Sequence, residues 1–197
     1  MRYCEVCRAS FQASGICPRD KVRVRADVED PMLDFVVGAR YRVLERIAAG
    51  GMGQIYRGAH TRIASLVAVK VLYGELTHVP EMRARFQREA EAASCLQSRH
   101  IVRVLDFGET DQGLLYIAME HLSGASLSSV IARDGALAPA RAVRVAQQVI
   151  RGLAHAHERG IVHRDLKPDN VMLVAEDDEV DVVKLLDFGI ERKSTRL

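Results

Sequence analysis

Alternation of apolar and polar residues predicts a series of β-strands from about residue 41 onward. Arg42–Ile47 alternates as a half-buried strand does, and a second strand is predicted directly after the glycines that follow it. Val67–Leu72 is rich in β-branched residues, which favour strands. Four further strands are predicted at Ile101–Gly108, Leu114–Glu120, Val171–Val174 and Val182–Leu186.

Two longer stretches have apolar residues at helical spacing instead. Pro80–Gln97 has a stripe that includes Met82 and Phe86. Pro139–Glu158 begins with a proline suited to a first helical turn, and Gly160 suits the position just beyond its end. The second helix has an apolar face that needs a large packing partner: Ala142, Val145, Ala146, Val149, Ile150, Leu153 and Ala154.

The composition excludes few classes of protein, but it reduces the number of partner classes that the chain is expected to bind. The chain has 197 residues, 48% of them apolar, and a net charge of +2. This balance predicts neither a nucleic-acid partner nor attraction to an anionic membrane. No apolar run approaches the length of a membrane span, and the segment from Met1 does not resemble a signal peptide. We therefore expect a cytoplasmic location and no membrane segment.

The first 25 residues contain two short turns with ligand-type side chains. Cys4 and Cys7 are separated by two residues, and Cys17 and Asp20 repeat that spacing. Two such turns joined by a hairpin have the geometry of a zinc ribbon, with Asp20 where a fourth cysteine is usual. The alternative is three unbound thiols on a disordered leader. Cys95 lies in a helical pattern and is predicted to be a small packed hydrophobe.

An eight-residue polar segment, His163–Asn170, carries the most specific chemistry in the chain. Pro168 prevents an ordinary helix from running through it, so the segment is predicted to be a shaped loop. The amide of Asn170 and the carboxylate of Asp187, delivered from two nearby turns, are oxygen ligands suited to Mg²⁺. Asp165 is then left to orient a hydroxyl group.

A glycine-rich turn separates the first two predicted strands of the sheet. Gly50, Gly51 and Gly53 would allow the backbone to approach a phosphate closely and to direct N–H groups at it. A tight hairpin without a ligand is the alternative interpretation. The run alone therefore indicates a nucleotide site only weakly.

Together these motifs resemble the bacterial, eukaryotic-like Ser/Thr protein kinases. The loop His163–Asn170 and the turn Asp187-Phe188-Gly189 match the catalytic loop and metal-binding turn of that family. The resemblance implies a protein-kinase-like α+β fold, with a β-rich N-lobe and an incomplete helical C-lobe. The implied organisation is a zinc-ribbon-like segment at residues 1–25, a linker at 26–39, an N-lobe with hinge at 40–122 and a partial C-lobe at 123–197.

The resemblance also implies which residues bind ATP. Lys70 matches the strand lysine that contacts the α- and β-phosphates, and its ion-pair partner on the next helix would be Glu89 rather than Glu81 or Glu91. Ala48 stands where the family has glycine, so it changes the phosphate loop at one position. The nucleotide-binding residues implied are Ala48, Gly50, Gly51, Gly53, Ile55, Ala68, Lys70, Glu89, Glu120, Leu122, Asn170 and Asp187.

The catalytic roles follow from the same resemblance. Asp165 would accept the proton of the substrate hydroxyl, and Lys167 would stabilise the transferred phosphoryl group. Asn170 and Asp187 would hold the Mg²⁺ ions, and His163 is expected to pack beneath Phe188. A lysine at position 167 is typical of the Ser/Thr-specific branch, so the expected substrates are Ser and Thr hydroxyls of proteins in bacterial signalling. The cofactors implied are ATP and Mg²⁺, with Zn²⁺ at Cys4, Cys7, Cys17 and Asp20.

The resemblance covers residues 40–190 and is cut short after the Asp187 turn. In the family, further segments bind the protein substrate and cover the helix predicted at Pro139–Glu158. The alternative function is therefore a catalytically impaired nucleotide-binding or interaction module, or the product of a gene fragment. For the chain expressed alone we expect poor kinase activity, together with a loosely packed C-terminal half, self-association through the uncovered helix or dependence on a partner.

Overall fold

The computed structural model describes residues 1–26, 29–176 and 178–188, which form two compact units. The first unit comprises residues 1–87 and 104–121, and the second comprises residues 88–103 and the chain from Leu122 onward. Within the part of the chain so described, none of the helices has the length and apolar character needed to cross a lipid bilayer.

The first unit is built on a six-stranded antiparallel sheet with strand order β3-β4-β5-β6-β8-β7. A separate two-stranded hairpin, β1 with β2, precedes the sheet. Helix α2 starts in this unit and its last residues belong to the second one. The elements are β1 (Arg2–Tyr3), β2 (Ser10–Phe11), β3 (Val36–Val37), β4 (Tyr41–Ala49), β5 (Gly53–His60), β6 (Leu66–Leu72), α1 (Gly74–Thr77), α2 (Pro80–Ser94), β7 (Val104–Glu109) and β8 (Leu115–Glu120).

The core of the first unit combines the sheet with the segment before it. Inward-facing side chains of the strands, including Tyr56 and Val69, are fully buried. Phe11 and Met32, which precede the sheet in sequence, belong to the same apolar cluster. Asp30 accepts hydrogen bonds from the hydroxyls of Tyr3 (3.1 Å) and Tyr56 (3.0 Å). The stretch predicted to be a linker is therefore packed against the sheet.

In the second unit, a three-stranded antiparallel sheet packs against helix α4. The strand order of this sheet is β11-β10-β9. Gln148 of α4 accepts a hydrogen bond from the backbone N–H of Val183, and its amide donates to the carbonyl of Asp181. A 3₁₀ turn over Pro168–Asn170 leads into β10. The elements are β9 (Gly124–Ser126), α3 (Leu127–Asp134), α4 (Pro139–His157), β10 (Val171–Glu176) and β11 (Glu179–Leu185).

Helix α4 buries a narrower face than its apolar pattern predicts. Val145, Gly152 and Ala156 are buried, and Val149 and Leu153 are half-buried beside them. Ala146, Ile150 and Ala154, which were predicted to lie on the same face, are exposed, and Ile150 is 63% exposed. The difference arises because the small sheet covers one side of the helix only.

Candidate active site and cysteine cluster

The catalytic loop is held in shape by its own backbone. Arg164 adopts a positive φ of 62°, which directs the chain back so that the N–H of Asp165 donates to the carbonyl of His163 at 2.8 Å. The 3₁₀ turn that follows is closed by a hydrogen bond from the Asn170 N–H to the Lys167 carbonyl at 2.9 Å. Pro168 fits the first position of that turn, because its missing N–H is not needed there.

The two predicted catalytic residues, Asp165 and Lys167, and the predicted magnesium ligand Asn170 are joined by hydrogen bonds to the carboxylate of Asp165. The ammonium group of Lys167 donates to Asp165 Oδ2 at 2.9 Å, and the Asn170 amide nitrogen donates to the same oxygen at 3.1 Å. The Asn170 amide also donates to the backbone carbonyl of Asp165 at 2.8 Å. The hydrogen bond from Lys167 is the main reason that the pKa of Asp165 lies below its usual range. Asp165 is therefore an ionised acceptor, 58% exposed at its side chain.

The turn that contains Asp187 is hydrogen-bonded to the catalytic loop through the backbone. The N–H of Leu186 donates to the carbonyl of Asn170 at 2.9 Å, so the two predicted magnesium ligands lie on directly connected segments. Asp187 has a positive φ of 46°, an uncommon conformation for a residue other than glycine and one that recurs at functional sites. Gly189, the last residue of this motif, lies outside the described residues.

His163 has the structural role that the sequence indicates. It is 2% exposed, and its ring lies 4.7 Å from the ring of Phe188. Its Nε2 lies 2.8 Å from the carbonyl oxygen of Leu186; since a carbonyl accepts, this nitrogen carries the proton. Burial lowers the pKa of His163, which keeps the ring neutral. The predicted packing beneath Phe188 is confirmed.

The glycine-rich turn lies between β4 and β5 in the first unit. The N–H of Gly50 donates to the carbonyl of Gly53 at 2.9 Å, which closes the turn. At Gly53 a Cβ atom would lie 2.1 Å from the carbonyl oxygen of Val71 on β6, so a side chain is sterically excluded there. Gly50 and Gly51 are different, because a Cβ at either would meet almost no neighbouring atom of the described chain.

Lys70 lies in the middle of the sheet. It stands on β6 opposite Ile55 of β5 on one side and Ile117 of β8 on the other, and it is 7% exposed. Glu89 of α2 is also buried, at 8% exposed, whereas Glu81 and Glu91 are exposed. A buried charge is retained only with a partner, so burial separates Glu89 from the two alternatives.

The remaining residues assigned to nucleotide binding are placed as follows. Ala48 is exposed on β4 and pairs with Ile55, which is half-buried. Ala68 is buried on β6. Glu120 ends β8, and the chain passes from the first compact unit to the second between His121 and Leu122.

The first 25 residues bring their predicted ligands together. The Sγ atoms of Cys4, Cys7 and Cys17 and a carboxylate oxygen of Asp20 all lie within 4.8 Å of one another. The three cysteines are buried, and burial raises the pKa of the Cys4 and Cys7 thiols. Cys95 is exposed, and the prediction of a packed position was wrong because α2 ends at Ser94, one residue earlier.

One hydrogen bond of the catalytic loop could not be predicted from the sequence. The hydroxyl of Ser128 donates to Asp169 Oδ1 at 2.9 Å, which connects the first turn of α3 to the catalytic loop. Ser126 caps the same helix by accepting a hydrogen bond from the N–H of Ser129. A Ser-rich stretch before a helix indicates a cap, but its contact with the loop depends on the tertiary fold.

Comparison with known proteins assigns this architecture to a family. A sequence model described as "Protein kinase domain" matches residues 41–196, which is most of the chain. The chain belongs to the protein kinase family, and its α+β fold is the protein kinase fold.

The relatives are bacterial kinases and are longer than this chain. It is 40% identical to serine/threonine-protein kinase pkn3 of Myxococcus xanthus over 169 residues, which cover 86% of this chain and 31% of that protein. It is also 40% identical to serine/threonine-protein kinase Pkn1 of the same organism, over 96% of this chain and 29% of that protein. The second alignment therefore extends into the segment before Tyr41. The chain spans about a third of the length of these relatives.

A solved structure has the same fold. The crystal structure of the Mycobacterium tuberculosis PknI kinase domain matches with a TM-score of 0.67 and 35% identity, over 80% of this chain and 62% of that one.

Proposed function

We propose that this chain carries the nucleotide-binding and catalytic residues of a protein Ser/Thr kinase, which transfers the γ-phosphate of ATP to hydroxyl groups of protein substrates in bacterial signalling. The observation that carries the proposal is the hydrogen-bonded group formed by Asp165, Lys167 and Asn170. The carboxylate of Asp165 is an ionised proton acceptor, and the ammonium group of Lys167 lies in direct contact with it. Transfer of a phosphoryl group to a hydroxyl requires such an acceptor and a cation close together. The names of the relatives favour the same reaction.

In this mechanism Asp165 orients the substrate hydroxyl and accepts its proton. Lys167 holds the carboxylate ionised in the resting protein. As negative charge develops on the transferred group, the same ammonium can donate to it, because phosphoryl transfer depends on positioning and charge stabilisation more than on covalent chemistry. The side chain of Lys167 is 49% exposed and is therefore accessible to a substrate.

Mg²⁺ fits the oxygen donors of Asn170 and Asp187. The amide nitrogen of Asn170 is occupied by Asp165, which leaves the amide oxygen as the atom able to face a cation. The ion would neutralise charge on the phosphate groups. Zn²⁺ is a separate proposed cofactor, held by Cys4, Cys7, Cys17 and Asp20.

ATP binding is assigned to the residues that match the nucleotide-binding motifs of the family. Lys70 would contact the α- and β-phosphates, with Glu89 as its partner, and the turn at Gly50–Gly53 would place N–H groups near them. Ile55 and Ala68 would contact the adenine, and the backbone at Glu120 and Leu122 would hydrogen-bond it. Because the reaction uses ATP, we also retain the cytoplasm as the proposed location.

Self-association through α4 is a second proposal and concerns partners rather than catalysis. Val143 is 56% exposed and Ile150 is 63% exposed on this helix, and each branched side chain left in water forfeits roughly 1.5–3 kcal/mol of burial. Sedimentation of the 197-residue chain should show concentration-dependent dimers that Ile150→Glu abolishes. A monomer at every concentration would contradict this proposal.

The catalytic proposal is tested by phosphate transfer from labelled ATP to a generic Ser/Thr-containing protein. Asp165→Asn should lower turnover by about 10²–10⁴-fold, the usual contribution of a positioned acid or base, while nucleotide binding is retained. Lys70→Met should weaken nucleotide binding itself. Asp111→Asn, in an exposed turn of the first unit, is the matched control and should leave both quantities unchanged.

Two outcomes would contradict the assignment. Equal turnover of the wild type and Asp165→Asn would remove Asp165 from the reaction. Binding of ATP·Mg²⁺ without any transfer by the wild type would favour the alternative, a nucleotide-binding module that does not catalyse.

A further inference from the structure

The two turns that hold the cysteine cluster have the same backbone architecture. In the first, the Cys4 carbonyl accepts from the N–H of Arg8 at 2.9 Å, and the Cys4 N–H donates to the carbonyl of Ala9 at 2.9 Å. In the second, the Cys17 carbonyl accepts from Lys21 at 2.9 Å, and the Cys17 N–H donates to Val22 at 2.8 Å. Both bonds therefore recur at the same offsets from the leading cysteine.

The conformation of the closing residue repeats as well. Arg8 has a φ of 63° and Lys21 a φ of 58°, in the left-handed region that residues other than glycine seldom adopt. Each follows the second candidate ligand of its turn directly, and these ligands are Cys7 and Asp20. Asp20 thus occupies the position in the second turn that Cys7 occupies in the first.

Three of the six distances between the ligand atoms lie close to those around one tetrahedral ion, and all six are within 4.8 Å. Zinc–sulfur bonds of about 2.3 Å place two thiolates about 3.8 Å apart in a tetrahedron, and sulfur and carboxylate oxygen about 3.6 Å apart. Cys7 Sγ and Cys17 Sγ are 3.7 Å apart, too far for the roughly 2.05 Å bond of a disulfide. Asp20 Oδ2 lies 3.2 Å from Cys4 Sγ and 3.5 Å from Cys17 Sγ.

The donor set favours zinc and a structural role for it. Soft thiolates select zinc over Mg²⁺ or Ca²⁺, which take oxygen ligands. Four protein ligands complete a tetrahedron and leave no position for a reacting water, which is typical of structural rather than catalytic zinc.

The residues around the cluster pack against helix α1, and they share an apolar cluster with the sheet of the first unit. A Cβ at Gly74, at the start of α1, would lie 2.4 Å from the Cβ of Ala9 and 2.7 Å from the ring of Phe11. The N–H of Gln12 donates to a carboxylate oxygen of Glu75 at 3.0 Å. The cysteines belong to the same apolar cluster as strand residues such as Tyr56. A metal that fixes the positions of the cysteines would therefore also stabilise the packing of the sheet.

We propose that Cys4, Cys7, Cys17 and Asp20 bind one structural Zn²⁺, with Asp20 as the fourth ligand, and that this centre stabilises the whole first unit by fastening residues 1–25 to its sheet. The assignment goes beyond the proposed kinase reaction and does not depend on it. Metal content and unfolding report on it without any phosphate transfer.

The first experiment measures zinc bound to the 197-residue chain after gel filtration, with native thiol titration of the same sample. We expect about one zinc per chain and one readily titrated thiol, the exposed Cys95. Cys17→Ser should lose the metal, whereas Cys95→Ser, the matched control, should retain it. A wild type purified from zinc-containing medium with no metal and four titratable thiols would overturn the site.

The second experiment tests Asp20 separately by competition with a chelator. Asp20→Asn replaces an anionic ligand by a neutral amide and should lower the affinity for zinc at least tenfold. Asp20→Cys completes a four-thiolate set and should raise the affinity above that of the wild type. Equal affinities in the wild type and Asp20→Asn would remove Asp20 from the site while leaving the three cysteines in it.

The third experiment tests whether the centre stabilises the unit. Zinc removal should lower the melting temperature of the wild type, because a ligand that binds only the folded state stabilises it by mass action. Gly74→Val leaves the four ligands intact but places a side chain where Ala9 and Phe11 lie. In that variant the zinc content should persist, and the effect of zinc on melting should shrink. If zinc removal leaves the melting of the wild type unchanged, the fastening role is wrong.

Discussion

Replacing Gly53 by alanine tests whether the glycine turn is shaped by sterics of the sheet or by a ligand. The added Cβ would lie 2.1 Å from the carbonyl oxygen of Val71, roughly 1 Å inside ordinary contact distance. The obstacle is backbone of the paired strand β6, which cannot rotate away as a flexible side chain could. Either the ladder between β5 and β6 shifts, or the hydrogen bond from Gly50 to Gly53 is lost.

Overpacking of this kind costs about 1–3 kcal/mol of unfolding free energy. That range corresponds to a change in the unfolding constant from roughly fivefold to more than a hundredfold. Gly51→Ala is the matched control, because the described chain places no atom within 4 Å of its Cβ. Alanine there restricts the unfolded chain and should be neutral or should stabilise by up to about 1 kcal/mol if the backbone accepts it.

Urea unfolding of both variants, followed by fluorescence or circular dichroism, measures the difference. We expect a lower midpoint for Gly53→Ala and an unchanged or slightly higher one for Gly51→Ala. Nucleotide titration of the same samples then separates folding from binding. Equal midpoints in the two variants would refute the steric reasoning and would leave a role in ligand contact as the explanation for Gly53.

The second unit offers two further tests. Phe188→Ala removes a ring that is 1% exposed and packed on His163, and should cost about 3–5 kcal/mol of unfolding free energy in urea, whereas Leu166→Ala, 47% exposed in the same loop, should cost little. Arg141 donates to both carboxylate oxygens of Asp181, at 2.7 and 2.8 Å, and lowers the pKa of Asp181. Because the folded-state pKa is depressed, the stability that this pair adds is fully present above the unfolded pKa of about 3.9 and is lost as the pH falls through the lower folded value. Arg141→Gln should therefore be less stable than the wild type at pH 7 and approach it progressively as the pH falls below about 3.9 in a melting series; a difference independent of pH would contradict this origin.

The sequence predicted the elements whose periodicity is long enough to recognise. Strand β6 and helix α4 were predicted to within two residues, because each has several apolar positions in a regular pattern. Strand β9 has three residues and helix α3 eight, and neither was predicted. A strand so short cannot show alternation, and its pairing with β10 depends on residues about 48 positions later in the chain.

The candidate catalytic residues were predictable because their motif is contiguous. Asp165, Lys167 and Asn170 lie within six residues, so their contacts follow largely from local backbone geometry. The packing of the segment before Tyr41 was not predictable in the same way. Asp30 is acidic and adjacent to Pro31, which reads locally as a linker, yet its partner Tyr56 lies 26 residues away.

The same packing means that the folded first unit begins before the residue at which the protein kinase domain match begins. The kinase match begins at residue 41, but Met32 is 1% exposed in the core of the sheet, and Asp30 accepts a hydrogen bond from the buried hydroxyl of Tyr56. A fragment cut at the boundary of the match would expose an apolar surface on the sheet and remove one of the two acceptors of that hydroxyl, leaving Gln54 Oε1. For recombinant work, the first unit should therefore retain Asp30 and Met32, and preparations that begin at Tyr41 should aggregate.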